Sequence, residues 1–413
     1  MKVLLRQEKG LSAKARCASS CSSPVRSRPL LKRSETARAA LVSSCLHHSR
    51  VAQRAKGEAP RAMRFAKRPN TFVTKASEVD SAVGTSSERS ERGKEGSRLR
   101  APGLKLRDRF TKVYKFGGSS VANAGRMKEI ANIVCLFEDE APVVVLSAMG
   151  KTTNNLILAG EAAVESKAAD VPSLEPLLAI KELHQSTMEE LDIDEASKQQ
   201  VNEHLHELEQ LLVGISLLKD LSPRSLDSLV SFGERMSTRI FSGYLKRLGI
   251  PSIQHDAFDL GFATTDQFTN GDILYEESIE EVRRNVQRLR TRREIYGSSK
   301  AREGGKEEEE EEMLPVLPVV TGFLGKGEKT GAITTLGRGG SDLTATFLGL
   351  SLGIEEVIVW KDVDGVLTSD PRICPSARPV PILTVDEATE LAYFGATVLH
   401  PQSMQPLLKK VSL

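Results

Sequence analysis

The feature that most constrains the fold is an apolar strand pattern that runs directly into a glycine turn, between Val113 and Ser120. The order Val-Tyr-Lys-Phe-Gly-Gly-Ser-Ser predicts a short β-strand, a tight turn and the start of a helix. Backbone N–H groups at such a helix N-terminus favour an anion, and Lys115, near the end of the strand, can reach the same anion. The turn lacks the GxxxxGK[ST] spacing of the common nucleotide hydrolases, so it predicts a phosphate site of another kind.

A second glycine loop, from Thr334 to Asp342, separates a β-rich stretch from a helical pattern. Ser341 is a natural N-cap for that helix, and Asp342 lies in its first turn. A capped helix after a flexible hairpin is the simpler interpretation, but a cap needs neither Arg338 nor the glycine pair that follows it. The alternative is a second anion-binding loop that carries a cation and an acid. Two such loops at the carboxyl ends of parallel strands can converge on one phosphate chain.

A third segment, Val357 to Arg372, begins as an apolar strand that ends in Lys361 and Asp362. Asp-Gly and Asp-Pro turns follow it. Taken alone, its acidic residues could be solvated turn residues. Next to two phosphate loops, Lys361 and Arg372 favour a role in nucleotide binding.

The body of the chain alternates predicted strands and helices, which is typical of an α/β protein with an open, mostly parallel sheet sandwiched by helices. Strands are expected at Val113–Phe116, Val143–Ser147, Ser252–Asp256, Val319–Phe323 and Val357–Trp360. Helices are expected near Gly125–Phe137, Leu156–Ser166, Ala179–Leu191, Ser197–Leu218, Leu226–Leu248 and Ser278–Arg293. The apolar helices between Ala179 and Leu218 predict a helical insertion that serves packing rather than chemistry.

Six segments, in chain order, resemble the motifs of aspartate kinases, above all the monofunctional forms of plants and algae: KFGGSS, SAMGKTTN, SFGERMS, TTLGRGGSDLTA, VWKDVDGVLTSDPR and AYFGATVLHPQSM. The resemblance covers about residues 112 to 404. It implies the amino-acid kinase fold and transfer of the ATP γ-phosphoryl group to the side-chain carboxylate of L-aspartate, the first step of lysine, threonine, methionine and isoleucine synthesis. It implies Mg²⁺ carried by the nucleotide, with no dedicated metal site on the protein.

The resemblance also implies residue roles. Lys115 is expected to contact the transferring phosphoryl group, and Asp342 to orient Lys115. The expected substrate-binding residues are Ser147, Thr153, Glu234, Arg338 and Ser341. The expected nucleotide-binding residues are Lys115, Gly117, Gly118, Ser119, Lys361, Asp362 and Arg372. Glu234 would receive the substrate ammonium and Arg338 a substrate carboxylate, which a guanidinium can bind through two hydrogen bonds.

Glu234 has an alternative interpretation, because a glutamate beside Arg235 in a long amphipathic helix usually faces solvent. The glycine before it argues for function, since glycine in a helix costs about 1 kcal/mol relative to alanine and a close approach to the backbone would explain it. Two positions depart from the family pattern. Thr397 stands where relatives often carry a lysine or glutamine, and Leu367 replaces an aromatic residue, which leaves the nucleotide contacts open.

The first 70 residues carry 17 Lys and Arg against 3 Asp and Glu, whereas the rest carries 40 against 52. A basic, Ser- and Ala-rich leader predicts a transit peptide over residues 1–70. The resemblance implies a plastid; the composition alone also allows a mitochondrion. A nucleic-acid-binding arm is the alternative, and the scarcity of aromatic residues and the acidic body argue against it.

The remaining boundaries follow from composition and from the resemblance. Residues 71–110 are expected to be a disordered linker, 111–406 the catalytic domain, and 407–413 a divergent tail without the family's regulatory domains. An acidic insertion at about 296–313 contains six consecutive glutamates, expected to be a solvated loop rather than a metal site. No apolar run approaches the roughly 20 residues of a membrane span. The five cysteines show no metal-ligand spacing or disulfide framework.

L-Aspartate, MgATP and further copies of the chain in a homo-oligomer are the expected partners, with no nucleic acid and no membrane. Two alternatives remain open. One is a kinase for another amino acid, such as glutamate or acetylglutamate. The other is a non-catalytic fragment that pairs with a longer kinase.

Overall fold

Parallel strands and covering helices make up most of the part of the chain that the computed structural model describes. The described residues are 2–7, 71–74, 109–137, 140–289, 316–337, 339–361, 365–370, 372–394 and 399–409. The chain divides into two units, and all described residues belong to the first, Met1–Ala15 with Asn70–Leu413. The second unit, Arg16–Pro69, lies outside the described residues.

The described strands are β1 (Lys2–Gln7), β2 (Thr71–Thr74), β3 (Lys112–Phe116), β4 (Pro142–Leu146), β5 (Ser252–His255), β6 (Ala263–Thr264), β7 (Leu317–Thr321), β8 (Leu324–Gly327), β9 (Ile333–Thr335), β10 (Glu356–Lys361) and β11 (Ile382–Thr384). The described helices are α1 (Ala124–Leu136), α2 (Thr152–Glu165), α3 (Glu175–Leu191), α4 (Glu195–Leu218), α5 (Pro223–Arg247), α6 (Tyr275–Leu289), α7 (Gly340–Ser351), α8 (Val385–Tyr393) and α9 (Gln405–Lys409).

The larger sheet has the strand order β11-β2-β1-β10-β3-β4-β7-β5. Every neighbouring pair in it is parallel except β11 with β2. A smaller sheet has the order β6-β8-β9, and its strand β9 leads into the second glycine loop. The predicted fold class, α/β with an open and mostly parallel sheet between helices, is therefore confirmed.

The central strands are apolar on both faces because helices cover both sides of the sheet. Alternate side chains of a strand point to opposite faces. On β3, Tyr114 and Phe116 join an apolar cluster with helices α1 to α5, whereas Val113 joins a second cluster with α6 and α7. The predicted helices agree with the structure within a few residues, and α3 and α4 form the expected helical insertion packed on α2 and α5.

Two short segments differ from the sequence-based expectation. β1 lies in the predicted transit peptide and β2 in the predicted disordered linker, yet both are strands of the larger sheet. β1 pairs in parallel with β10, placing Val3 opposite Val357, and the Val3 side chain is buried in the second apolar cluster. Pairing with β1 gives hydrogen-bond partners to the N–H and C=O groups along that side of β10. Without β1 these groups would lie at an unpaired sheet edge.

The other regional predictions fall mostly outside the described residues. The acidic insertion and the end of the tail, from 410 onward, lie there, as does most of the leader. Among the described helices, none is both long enough and apolar enough to cross a membrane. The two cysteines of the described region, Cys135 and Cys374, are free thiols.

Candidate active site

The site lies where four neighbouring strands of the larger sheet end. β10, β3, β4 and β7 are adjacent and parallel, so their carboxyl ends share one edge of the sheet. In open α/β sheets this edge is where ligands bind. Residues from both glycine loops and from α5 meet there, as the following contacts show.

Backbone hydrogen bonds hold the first glycine turn in shape. Ser120 N and Val121 N donate to Gly117 O at 3.0 and 3.2 Å, which closes the turn directly after β3. Gly150 N donates to Gly118 O at 3.0 Å, which ties the turn to the segment that begins α2. Gly117, Gly118 and Ser119 therefore lie in the strand-to-helix turn that the sequence predicts.

Lys115 and Asp342 form a buried ion pair between the first strand and the second loop. The Lys115 Nζ atom lies 2.6 Å from Asp342 Oδ1, and the two residues are only 7% and 5% exposed. Lys361, at the end of β10, places its Nζ atom 3.8 Å from Asp342 Oδ2. Burial alone would raise the pKa of Asp342, but the Lys115 ammonium, and then Lys361, hold that pKa below its usual value. Asp342 is therefore ionised between two cations.

Ser341 differs from its predicted role as a helix cap. The N-cap of α7 is Gly339, which has the positive φ of 72°, so the helix begins at Gly340 and Ser341 lies in its first turn. The Ser341 hydroxyl instead accepts a hydrogen bond at 3.0 Å from the Ser147 hydroxyl, at the end of β4. This bond brings together two of the predicted substrate-binding residues.

Glu234 is buried, not solvent-facing, and is only 4% exposed. Its Oε1 atom accepts a hydrogen bond from Ala148 N at 3.2 Å, whereas Oε2 has no partner among the described residues. Burial raises the pKa of Glu234 to about 8, and Lys115 opposes that rise. A buried carboxylate oxygen without a partner suits a cationic ligand.

The glycine before Glu234 allows the close backbone approach that the sequence predicts. A Cβ atom on Gly233 would lie 2.7 Å from the Ala148 Cβ, so only glycine lets α5 approach this close to the end of β4. Ser237, one turn later, donates its hydroxyl to Ser147 O at 2.8 Å. Helix α5 is thus fixed against the Ser147–Ala148 segment, and the fixed helix positions Glu234.

Other predicted residues are not brought into this cluster. The Thr153 side chain, in the first turn of α2, is partly exposed and makes no hydrogen bond within the described part of the chain. The Arg372 guanidinium is exposed and pairs with Asp370 at 2.8 Å. Arg338, Asp362 and Thr397 lie outside the described residues.

Sequence reasoning missed two residues of this region. Phe323 follows β7 with a φ of 72°, which is unusual for a bulky residue and typical of functional sites. Its backbone N donates to Thr344 Oγ1 and its carbonyl accepts from Leu336 N, so it braces both ends of the second loop. No sequence pattern predicts that conformation. The other is Asp227, whose signal was its spacing of seven residues, two helical turns, from Glu234.

The fold and the site define a class of protein. The chain belongs to the amino acid kinase family, whose profile matches residues 110–412.

Aspartokinase 1, chloroplastic, of Arabidopsis thaliana is 55% identical over 297 residues, which are 72% of this chain and 48% of the relative. The crystal structure of Escherichia coli aspartokinase III with lysine and aspartate superposes with a TM-score of 0.59 at 31% identity, covering 72% of this chain and 60% of that one. The same enzyme with aspartate and ADP gives a TM-score of 0.57 at 30% identity over the same shares of the two chains. The chain spans about half the length of the Arabidopsis aspartokinases it matches.

Proposed function

We propose that this chain is an ATP-dependent aspartate kinase. It transfers the γ-phosphoryl group of ATP to the side-chain carboxylate of L-aspartate and forms 4-phospho-L-aspartate. The family membership supports phosphoryl transfer, and the aspartokinase relatives support aspartate as acceptor. The observation that carries the proposal is the buried, half-unpaired carboxylate of Glu234 beside the Lys115–Asp342 pair.

The residue types suit this reaction. Phosphoryl transfer requires mostly positioning and neutralisation of charge on the transferred group. A carboxylate acceptor is already ionised near neutral pH, so the reaction needs no strong general base. Lys115 supplies the positive charge at the reacting oxygens, and the ionised Asp342 orients the Lys115 ammonium.

Glu234 and Arg338 divide the recognition of the amino acid between them. The free oxygen of Glu234 receives the α-ammonium of the substrate, and binding of that cation favours the ionised form of a carboxyl group whose pKa lies near 8. Arg338 is the residue expected to bind a substrate carboxylate. The Ser147–Ser341 pair offers hydroxyl groups to the same substrate. Thr153 as a further lining residue stays a prediction.

The nucleotide lies along the first glycine turn and the end of β10. The turn offers backbone N–H groups of Gly117, Gly118 and Ser119, and Lys361 lies within reach of the same charges. Mg²⁺ carried by the nucleotide would neutralise part of the triphosphate charge, with no dedicated metal site proposed on the protein. Roles for Asp362 and Arg372 along the nucleotide stay predictions.

A hydroxylamine-trapping assay on the purified full chain tests the proposal, because hydroxylamine converts an acyl phosphate into a hydroxamate, which forms a coloured complex with Fe³⁺. With MgATP we expect product from L-aspartate and little from L-glutamate or acetylglutamate. Asp342→Asn should abolish most of it, and Asp386→Asn, in the first turn of α8, is the matched control. If the chain phosphorylated L-glutamate faster than L-aspartate, glutamate would be its substrate instead. A folded but inactive chain that gains activity only with a longer kinase would favour the fragment alternative.

Location, pathway and assembly belong to the same proposal. The chloroplastic relatives and the basic leader support a plastid enzyme of amino-acid biosynthesis. A homo-oligomer is expected, and light scattering on the purified chain measures its mass directly. A fluorescent fusion of residues 1–70 tests whether the leader alone directs import into plastids or into mitochondria.

A further inference from the structure

We propose that Asp227 is a positioning residue, which holds the second glycine loop in the geometry that binds the amino-acid substrate. Asp227 lies on α5, two helical turns before Glu234, and is 1% exposed. The inference rests on the proposed kinase function and assigns the support of its substrate site to a residue outside the predicted set.

The Asp227 carboxylate is fully engaged by neutral donors from two distant segments. Its Oδ2 atom accepts from Thr335 N at 3.0 Å and from Thr269 N at 2.8 Å, and its Oδ1 atom accepts from the Thr335 hydroxyl at 2.7 Å. Thr335 is the last residue of β9, two positions before the first glycine of the loop. Helix α5 is therefore hydrogen-bonded to β9, the strand that leads into the second glycine loop.

The second segment that Asp227 holds is a strained turn. Thr269 has a φ of 70°, a conformation that a β-branched residue rarely adopts without support from its surroundings. The hydrogen bond from its N–H to Asp227 supplies such support. Gly271, two residues on, donates its N–H to Thr335 O at 2.8 Å, so the turn and β9 are also bonded to each other.

This turn presses directly on the second glycine loop. Gly337 has a φ of 69°, and a Cβ atom added to it would collide with the Asn270 side chain. Asp227 thus fixes the turn, and the turn closes against the start of the loop that carries Arg338 and Ser341. Removal of the carboxylate takes a hydrogen-bond acceptor from both β9 and the turn.

One helix therefore sets both ends of the substrate site. Glu234, on α5, faces the end of β4 and is placed for the ammonium, and Asp227, on the same helix, anchors the loop that is placed for the carboxylate. Loss of the anchor would therefore disturb the loop end of the site, while Glu234 keeps its bond to Ala148 N. Loss of the anchor should weaken aspartate binding more than ATP binding, because the first glycine turn is closed by its own hydrogen bonds.

Asp227→Asn tests the proposal, because the amide keeps the size of the side chain but presents an NH₂ group where oxygens accept hydrogen bonds. We expect KM for aspartate to rise between about tenfold and about 100-fold, the scale of a misplaced binding group. KM for ATP should stay within about twofold, and kcat should fall less than kcat/KM for aspartate. Thr335→Val, which removes only the hydroxyl donor, should give a smaller change in the same direction.

Asp194→Asn is the matched control, because Asp194 also accepts bonds from a backbone N–H and a hydroxyl, both of Ser197, at the start of α4. It should lower the melting temperature without changing KM for aspartate. Equal changes in both KM values for Asp227→Asn, or an unchanged KM for aspartate, would refute the positioning role. If Asp227→Asn does not fold, Thr335→Val decides by the same criterion.

Amide hydrogen exchange separates this inference from the proposed function. In Asp227→Asn the amides of Thr269, Gly271 and Thr335 should exchange faster than in the parent chain, while those of Ser120 and Val121 should not change. Faster exchange in a chain that never phosphorylates aspartate would uphold the anchor and reject the kinase assignment. Unchanged exchange would reject the anchor whatever the activity.

Discussion

The two glycine loops look alike in sequence but are built in different ways. The first turn is closed by bonds between residues three and four positions apart, from Ser120 and Val121 to Gly117. The second loop has a local bond too, from Gly340 N to Gly337 O, but its side chains are held by distant segments. Asp227 and Thr335 are 108 residues apart, and Ser147 and Ser341 are 194 apart. A glycine loop after a strand can therefore be stabilised mainly by bonds within its own segment or mainly by bonds to residues far away in the chain.

The difference follows from what each loop is proposed to hold. A phosphate needs several N–H groups that point to one place, and a strand-turn-helix supplies them from one short segment. In the first turn, the bond from Gly150 N to Gly118 O adds one distant backbone contact. An amino acid needs an anion and a cation at a fixed separation, which no short segment provides. Helix α5 carries Glu234, which is proposed to bind the ammonium, and Asp227, which holds the strand before the second loop. The helix thus links the two parts of the proposed amino-acid site.

Lys115→Met should have the largest effect and separates chemistry from binding. The change removes the charge at the reacting oxygens and leaves the first turn in place, because backbone bonds hold that turn. Asp342 of the second loop loses its 2.6 Å ion pair but keeps Lys361, 3.8 Å away, as a cationic neighbour. We expect kcat to fall about 10³-fold, as for loss of one strong transition-state donor, with KM for aspartate changed less than about threefold. Steady-state kinetics by hydroxamate formation measure both.

Lys128→Met is the control for that substitution, because Lys128 is a surface residue that pairs with Glu190. Its kinetics should match those of the parent chain. A Lys115 variant with near-normal turnover would remove this lysine from the mechanism, and the comparison of the two loops would then lose its catalytic meaning.

The local parts of the site could be predicted from sequence, and the non-local parts could not. The apolar runs and glycines placed β3, the first turn and the start of α7 within a residue or two. The pattern around Gly233 predicted a close backbone approach, which Ala148 makes. The positive φ of Phe323 and the bonds of Asp227 come from segments far apart in the chain, so no local pattern carries them.

Glu234→Gln should have the next largest effect, on binding. The amide keeps the shape of the side chain but cannot pair with an ammonium as a carboxylate does. We expect KM for aspartate to rise about 30-fold or more, since loss of one partner of a buried charge pair costs on the order of 2 kcal/mol or more. Glu161→Gln on α2, which is exposed, is the control. Equal KM values for Glu234→Gln and the parent chain would exclude the ammonium role.

The same substitution should change how stability depends on pH. The pKa of Glu234 is raised to about 8 by burial, whereas in the unfolded chain it stays near its usual value. Between those two values the folded state keeps a proton that the unfolded state releases, so this group lowers the free energy of unfolding as pH rises toward 8. Glu234→Gln removes that loss and should gain stability over the parent chain, on the order of 3 kcal/mol from pH 5 to pH 8.

Urea titrations at pH 5, 6.5 and 8 on both chains measure this difference. A gap between the two that stays constant with pH would mean that Glu234 is ionised in the folded protein throughout. In that case the carboxylate would already be charged before substrate arrives.

Ser341→Ala should have the smallest effect and examines the second loop alone. The variant loses the 3.0 Å bond with Ser147, whose hydroxyl must then find another partner, but leaves Asp227 and Glu234 untouched. Loss of one neutral hydrogen bond costs about 1 kcal/mol, so KM for aspartate should rise about fivefold with KM for ATP unchanged. Ser228→Ala, at a partly exposed serine on α5 whose hydroxyl donates to Arg224 O, is the control. If KM for ATP rose as well, both loops would contact the same ligand rather than one loop binding ATP and the other aspartate. The contrast between a local phosphate turn and an amino-acid site held by distant segments would then fail.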